Sequence, residues 1–187
     1  MQRAHQIHCI SNLRQIGIGI QNFVTDNHAY PTSDGGTNDN DNAAGVWVRQ
    51  IERGGFDDSK PKVNFFNDGV WHCPSAKVFA GGISYGYNTF GVAPVGYTGP
   101  ASKKPKYISL GFHGFYNGHF PLIPVKASEV ANPSDMMAVG DSVVGGVYFM
   151  RLDLKYLEQR GASARHQGKL NVVFCDGHVE SPKLQFL

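Results

Sequence analysis

Residues Arg165–Ser181 read RHQGKLNVVFCDGHVES, two histidines and an aspartate around a short apolar run. The run LNVVFC has the length and β-branched content of a buried strand, and DG is a strong tight-turn signal. HVES then starts a return strand. Asp176 and Gly177 are expected to supply the positive φ that a two-residue hairpin turn requires. Asp176 is placed to accept a hydrogen bond from His166 when the preceding loop folds back over the turn, which pins the hairpin without any chemistry. The same residues also permit a metal site: His166, Asp176 and His178 are three ligands that leave one position open, as zinc sites do. The hairpin reading stands ahead, because no nucleophile or second carboxylate accompanies them.

Outward from the hairpin, a period of two recurs in ISYGYNTF (83–90), KYISLGF (106–112), MMAVGDS (136–142) and GVYFM (146–150), broken by Gly, Pro or Asn. No long amphipathic helices separate these segments, so antiparallel meanders are expected rather than a doubly wound parallel sheet. The other end of the chain behaves differently. From Gln2 to about Asn27, Ile7, Ile10, Leu13, Ile16, Ile20, Phe23 and Val24 fall at intervals of three and four, one apolar stripe on a helix. Gly17 and Gly19 sit inside it, each costing up to about 1 kcal/mol relative to Ala, so packing has to hold the helix. DNHAYP (26–31) ends it, since the residue before Pro31 is biased away from helical geometry. TSDGGTNDNDNAAG (32–45) is a polar loop, a short helix over Val46–Arg53 follows, and no core is expected there. GVAPVGYTGPASKKPK (91–106) is a further loop. The fold class is therefore α+β: an N-terminal helix (1–28) on an antiparallel sheet with long Gly-rich loops (29–187), the hairpin motif spanning 166–177.

A chain of 187 residues suits one domain with one core. Its 23 glycines and 10 prolines imply many turns, which disfavours a helical bundle. Seventeen basic and fifteen acidic residues leave a net charge of +2, without the basic runs of a nucleic-acid binder. No apolar stretch has the length of a membrane span, and MQRAHQIHC lacks the apolar centre of a signal peptide. Three cysteines, at 9, 73 and 175, are too few and too far apart for a zinc ribbon or a redox CxxC, but allow one long-range disulfide.

Three other places invite chemistry. GISYG (82–86) matches the G-x-S-x-G pattern around Ser84, but an alternating aromatic strand follows where a nucleophile elbow needs a helix. The run Asp34–Asp41 offers oxygen ligands for calcium, yet Ala44 stands where an EF-hand counted from Asp39 needs glycine. Tyr97, Tyr107, Phe112, Phe115 and Tyr116 suit a glycan- or protein-binding surface, although aromatics are more often core or loop anchors.

Several segments, taken in order, resemble a family. CISNLRQIGIGIQNFVTDNHAYP (9–31) resembles the exposed half of the long N-terminal helix of type IV pilin-like and type II secretion pseudopilin-like proteins. WHCPS (71–75) followed by SYGYN (84–88) resembles their strand region, and SDMMAVGDS (134–142) the strand before the motif. His166, nine residues, then Asp176-Gly177 is similar to the prepilin-type, processing-associated H-X9-DG domain. The resemblance implies a non-enzymatic envelope subunit of a type IV pilus or type II secretion pseudopilus-like assembly, used in secretion or surface attachment. Its implied partners are other pilin-like or pseudopilin subunits and, for the full-length precursor, a prepilin peptidase. It implies no cofactor, the alternatives being the zinc and calcium sites above. The bacterial cell envelope, on the extracytoplasmic side of the inner membrane or at the cell surface, is the implied location. The family's apolar anchoring half-helix has no counterpart here, so inner-membrane contact is expected only through an upstream segment. The 187 residues alone are expected to be monomeric or a weak dimer and not to bind lipid. In the oxidising compartment so implied, Cys9 and Cys73 are expected to pair, worth roughly 4 kcal/mol, with Cys175 left as a buried thiol.

Overall fold

The structure, a computed structural model, describes residues 2–32, 46–56, 69–76, 84–88, 110, 123–141 and 162–183. The strands expected at 106–112 and 146–150, the Asp34–Asp41 loop, the loop at 91–106 and the aromatics Tyr97, Tyr107, Phe112, Phe115 and Tyr116 lie outside these residues, apart from Leu110, which is buried.

The N-terminal helix α1 spans Gln2–Asn27. Its inward stripe is Cys9, Leu13, Ile16, Ile20 and Phe23, joined by Asn12 and Gly17. Ile7, expected in that stripe, is 68% exposed, because at about 100° per residue it falls on the same face as the exposed Ile18, opposite Leu13, Ile16 and Ile20. The helix also ends before Pro31 can act on it. His28 takes the left-handed conformation (φ 56°), and its N–H reaches the Val24 carbonyl at 2.8 Å, an αL cap in which histidine stands where glycine is usual. The chain leaves as an extended segment bridged to Lys126 through Ala29, with the Tyr30 N–H donating to the Val125 carbonyl.

Among the described residues four short strands make one antiparallel sheet in the order β1 (Tyr85–Tyr87), β2 (Met137–Asp141), β3 (Val172–Phe174), β4 (Val179–Glu180). Tyr85 faces Asp141 and Tyr87 faces Val139 across β1–β2. Val139 faces Val173 and Gly140 faces Val172 across β2–β3, with a register break between Met137 and Val139. Together with α1 this is a mixed α+β architecture. α1 lies over β3 and the β3–β4 turn so closely that a Cβ on Gly17 would stand 2.7 Å from Val173 Cγ2 and 3.4 Å from the Gly177 carbonyl oxygen. Gln21 fixes the same crossing by donating from its amide to the Cys175 carbonyl.

The second helix α2, Val46–Arg53, corrects the expectation that its region holds no core. Trp47 and Val48 are fully buried. Trp47 stacks on Tyr87 (5.2 Å between ring centroids) and meets Trp71 edge-on (5.5 Å). Gln50 exchanges two hydrogen bonds with Thr32, its Nε2 donating to Oγ1 and its Oε1 accepting from the backbone N–H, both at 2.8 Å. The Trp71 indole N–H donates to Glu52, whose carboxyl is nevertheless raised by burial. Among the described residues no helix is long and apolar enough to cross a membrane.

Candidate functional site

The β3–β4 turn and the residues before β3 divide the sequence motif between two places. The Gly177 N–H donates to the Phe174 carbonyl and the Phe174 N–H to the His178 carbonyl, both at 2.9 Å. The loop is therefore Cys175–Asp176–Gly177, three residues rather than the two expected. Gly177 alone carries positive φ (89°), as in a type I turn closed by a glycine bulge, and Asp176 needs none. The Asp176 carboxylate does not meet His166. It accepts from the His178 backbone at 3.1 Å and lies 2.5 Å from His178 Nδ1, on an exposed corner. Desolvation raises its pKa, but the backbone and ring hydrogen bonds and the charge of His178 together outweigh that, leaving it below the ordinary carboxylate value. His178 also stacks flat on Phe174, with ring centroids 4.3 Å apart.

His166 is turned inward by an unusual backbone. After Arg165 in extended geometry, His166, Gln167 and Gly168 take φ of 49°, 60° and 79°, three successive left-handed residues of which two are not glycine. Such residues cost on the order of 1–3 kcal/mol each and persist only where surroundings impose them. The surroundings here are polar and buried. His166 Nε2 lies 3.3 Å from Asp141 Oδ2 and 3.6 Å from Cys73 Sγ. Asp141, at the end of β2, exchanges backbone and side-chain bonds with Asn171: its N–H donates to the Asn171 carbonyl and its Oδ2 accepts from the Asn171 N–H. Arg165 is buried beside it. Burial lowers the guanidinium pKa, and the charges of Asp141 and Tyr85 oppose that change. Tyr85, opposite Asp141 in the sheet, is raised by burial first and by the Asp141 charge second.

Cys9 and Cys73 are joined by a disulfide, with both residues fully buried. The bridge ties α1 to the segment after the short 3₁₀ turn Gly69–Trp71, and the Asn12 side chain donates to the His72 carbonyl at 2.8 Å beside it. Cys175 is a free, buried thiol. Burial pushes it up to about 12 against a hydrogen bond with Tyr30 that lowers it.

No protein-family model, curated protein or solved structure matches the chain.

The three residues of the alternative metal site are thus split. Asp176 and His178 meet on the surface, whereas His166 sits under α1 between Asp141 and the disulfide. Ser84 is buried and leads directly into β1, with its N–H held by the Trp71 carbonyl at 2.9 Å, so no strand-to-helix elbow exists there. Cys73, His166 and Asp141 have the residue types of a nucleophilic triad but not its geometry. One nitrogen, Nε2, faces both partners, while a triad base uses opposite nitrogens for nucleophile and carboxylate. With the Cys73 sulfur bonded to Cys9, no thiol is available to attack. The arrangement joins α1, β2, the Cys73 segment and the loop before β3 at one buried point. Sequence reading gave no role to Asp141 or Arg165, and the only signal for Asp141 was its place at the end of the strand MMAVGDS.

Proposed function

We propose that this chain is a non-enzymatic subunit of a pilus- or pseudopilus-like assembly of the bacterial cell envelope, with its globular part on the extracytoplasmic side. The observation that carries this reading is the division of α1. From Cys9 onward one side is fixed to the sheet, whereas between Gln2 and His8 every described residue is exposed except the half-buried Gln6. Ile7 and Ile18 are 68% and 61% exposed on the helix. A helix held rigidly on one side and offering isoleucines on the other suits lateral packing against helices of neighbouring subunits, where each apolar side chain buried contributes about 1.5–3 kcal/mol. The buried disulfide supports the compartment, since such bonds persist in oxidising surroundings and are rare in the cytosol. Within this reading the H-X9-DG residues are structural: His166 locks the interior and Asp176-Gly177 shapes the turn on which α1 rests.

The test is cell fractionation with thiols alkylated before lysis, on the protein expressed from its own gene. The expected result is recovery in the envelope fraction with Cys9 and Cys73 oxidised and Cys175 as the single thiol. Cytosolic protein with three reduced cysteines would overturn the proposal.

A further inference from the structure

The buried point where Cys9, Cys73 and His166 meet has a second chemical capacity. Among the described residues these three form the one group of potential metal ligands whose donor atoms all lie within 4.8 Å of one another. Two sulfurs and one imidazole nitrogen are a zinc-preferring set. With Zn–S of about 2.3 Å and Zn–N of about 2.0–2.1 Å, a tetrahedral centre separates sulfur from nitrogen by about 3.5–3.6 Å and nitrogen from a carboxylate oxygen by about 3.3 Å. Nε2 lies 3.6 Å from Cys73 Sγ and 3.3 Å from Asp141 Oδ2. The nitrogen–sulfur edge of such a tetrahedron is therefore already present, whereas Asp141, outside the group of donors that lie within 4.8 Å of one another, has to turn to complete it. One buried atom also points to an additional partner: Asp141 Oδ1 has no hydrogen-bond partner among the described residues. The backbone holding His166 is independently constrained by its left-handed φ, as a preorganised ligand would be.

We infer that the reduced chain binds one zinc ion through Cys9 Sγ, Cys73 Sγ and His166 Nε2, with Asp141 closing the fourth position after a side-chain rotation, so that metal and disulfide are alternative clasps of the same joint. The chemistry balances. A dithiol reductant delivers two electrons and two protons to the S–S bond and leaves as its own cyclic disulfide. Zinc then displaces both thiol protons to solvent and accepts the Nε2 lone pair of the Nδ1–H tautomer. The sulfurs must part to about 3.8 Å, a movement within reach of two side-chain rotations. The metal replaces the covalent tie between α1 and the Cys73 segment, so the reduced chain keeps its joint when zinc is present. This inference does not depend on assembly or location.

The test uses the intact protein reduced with a phosphine or dithiol, freed of reductant by gel filtration, and titrated with Co²⁺ and then Zn²⁺. The expected result is one metal per reduced chain, with thiolate-to-cobalt charge-transfer absorption and the intense visible bands of tetrahedral cobalt, both erased by zinc. In denaturant too mild to unfold the chain, zinc should slow the alkylation of Cys9 and Cys73. The oxidised protein, which is folded, should bind none. His178→Ala should bind like the parent, separating this site from the surface pair Asp176–His178, while His166→Ala should lose the tetrahedral spectrum. Asp141→Ala should weaken binding by about tenfold or more. Failure of the reduced parent to bind, a six-coordinate spectrum without thiolate bands, or equal binding by the oxidised chain would overturn the inference.

Discussion

Substituting Gly17 tests whether α1 rests directly on the sheet. Alanine in place of a mid-helix glycine ordinarily stabilises a helix by about 1 kcal/mol. Here the new Cβ would stand 2.7 Å from Val173 Cγ2, closer than carbon atoms tolerate, and 3.4 Å from the Gly177 carbonyl. Val173 is fully buried in β3 and, being β-branched, has few alternative rotamers. The overlap therefore has to be relieved by moving the helix or the strand, at about 1–3 kcal/mol for an overpacked methyl group. Taking about 2 for that cost against about 1 for helix propensity, Gly17→Ala should lower stability by about 1 kcal/mol. The decisive comparison is made in a Val173→Ala background. That change alone costs stability, but it removes the clashing methyl, and Gly17→Ala should then be neutral or stabilising. The cycle should report a coupling of about 1–3 kcal/mol between positions far apart in sequence. Urea denaturation followed by circular dichroism, under non-reducing conditions, gives all four values. A stabilising Gly17→Ala in the parent, or additivity in the cycle, would refute the contact.

Gly177→Val should destabilise by about 1–3 kcal/mol through backbone strain, because its φ is 89° although the space beyond Cα is open apart from Gln21 Cγ at 3.6 Å. Gly177→Asn should cost clearly less, since asparagine tolerates left-handed geometry, and equal losses in urea melts would point to a steric cause instead. His166→Ala should cost about 2–3 kcal/mol, because it strips a buried carboxylate, Asp141, of its ring partner, whereas His178→Ala on the exposed turn should cost little. Equal effects would mean that His166 is not the lock. Stability should also fall in alkali. Tyr30, Tyr85 and Tyr87 have folded-state pKa values above the ordinary phenol value, chiefly through burial. Their contribution is fully present below about pH 10, and it is lost as pH rises from there toward the folded-state values, since only the unfolded chain ionises at first. Flat stability across that window in urea midpoints would contradict their burial.

Local patterning made some of this architecture legible in the sequence. The three-four spacing of apolar residues marked α1 as a helix from Gln2 to about Asn27, and strand-like alternation marked Tyr85–Tyr87, Met137–Asp141 and the hairpin. Successive steps of three drift around a helix of 3.6 residues per turn, so Ile7, three steps before Ile16, turns away from the buried stripe and is exposed. It also undervalued α2, where two buried side chains, Trp47 and Val48, anchor an otherwise polar helix. The dipeptide DG correctly marked a turn but not its length, which the Phe174–His178 pairing sets. The largest miss was the partner of His166. Its ring direction follows from three left-handed residues in a row, a conformation that no local propensity announces, and from the docking of β2 beside β3. Such contacts depend on which strands become neighbours, information that spacing along the chain does not contain.

The proposed role in assembly is tested most directly by photo-crosslinking in cells, with a photoreactive residue placed in turn at Ile7, at Ile18 and, as a control, at His178. Ile7 and Ile18 should give adducts with other copies of this chain or with co-assembled subunits, mapping by mass spectrometry to their N-terminal helices, whereas the hairpin position should not. Uncrosslinked monomer at both helix positions, in protein that is oxidised and folded, would contradict the account.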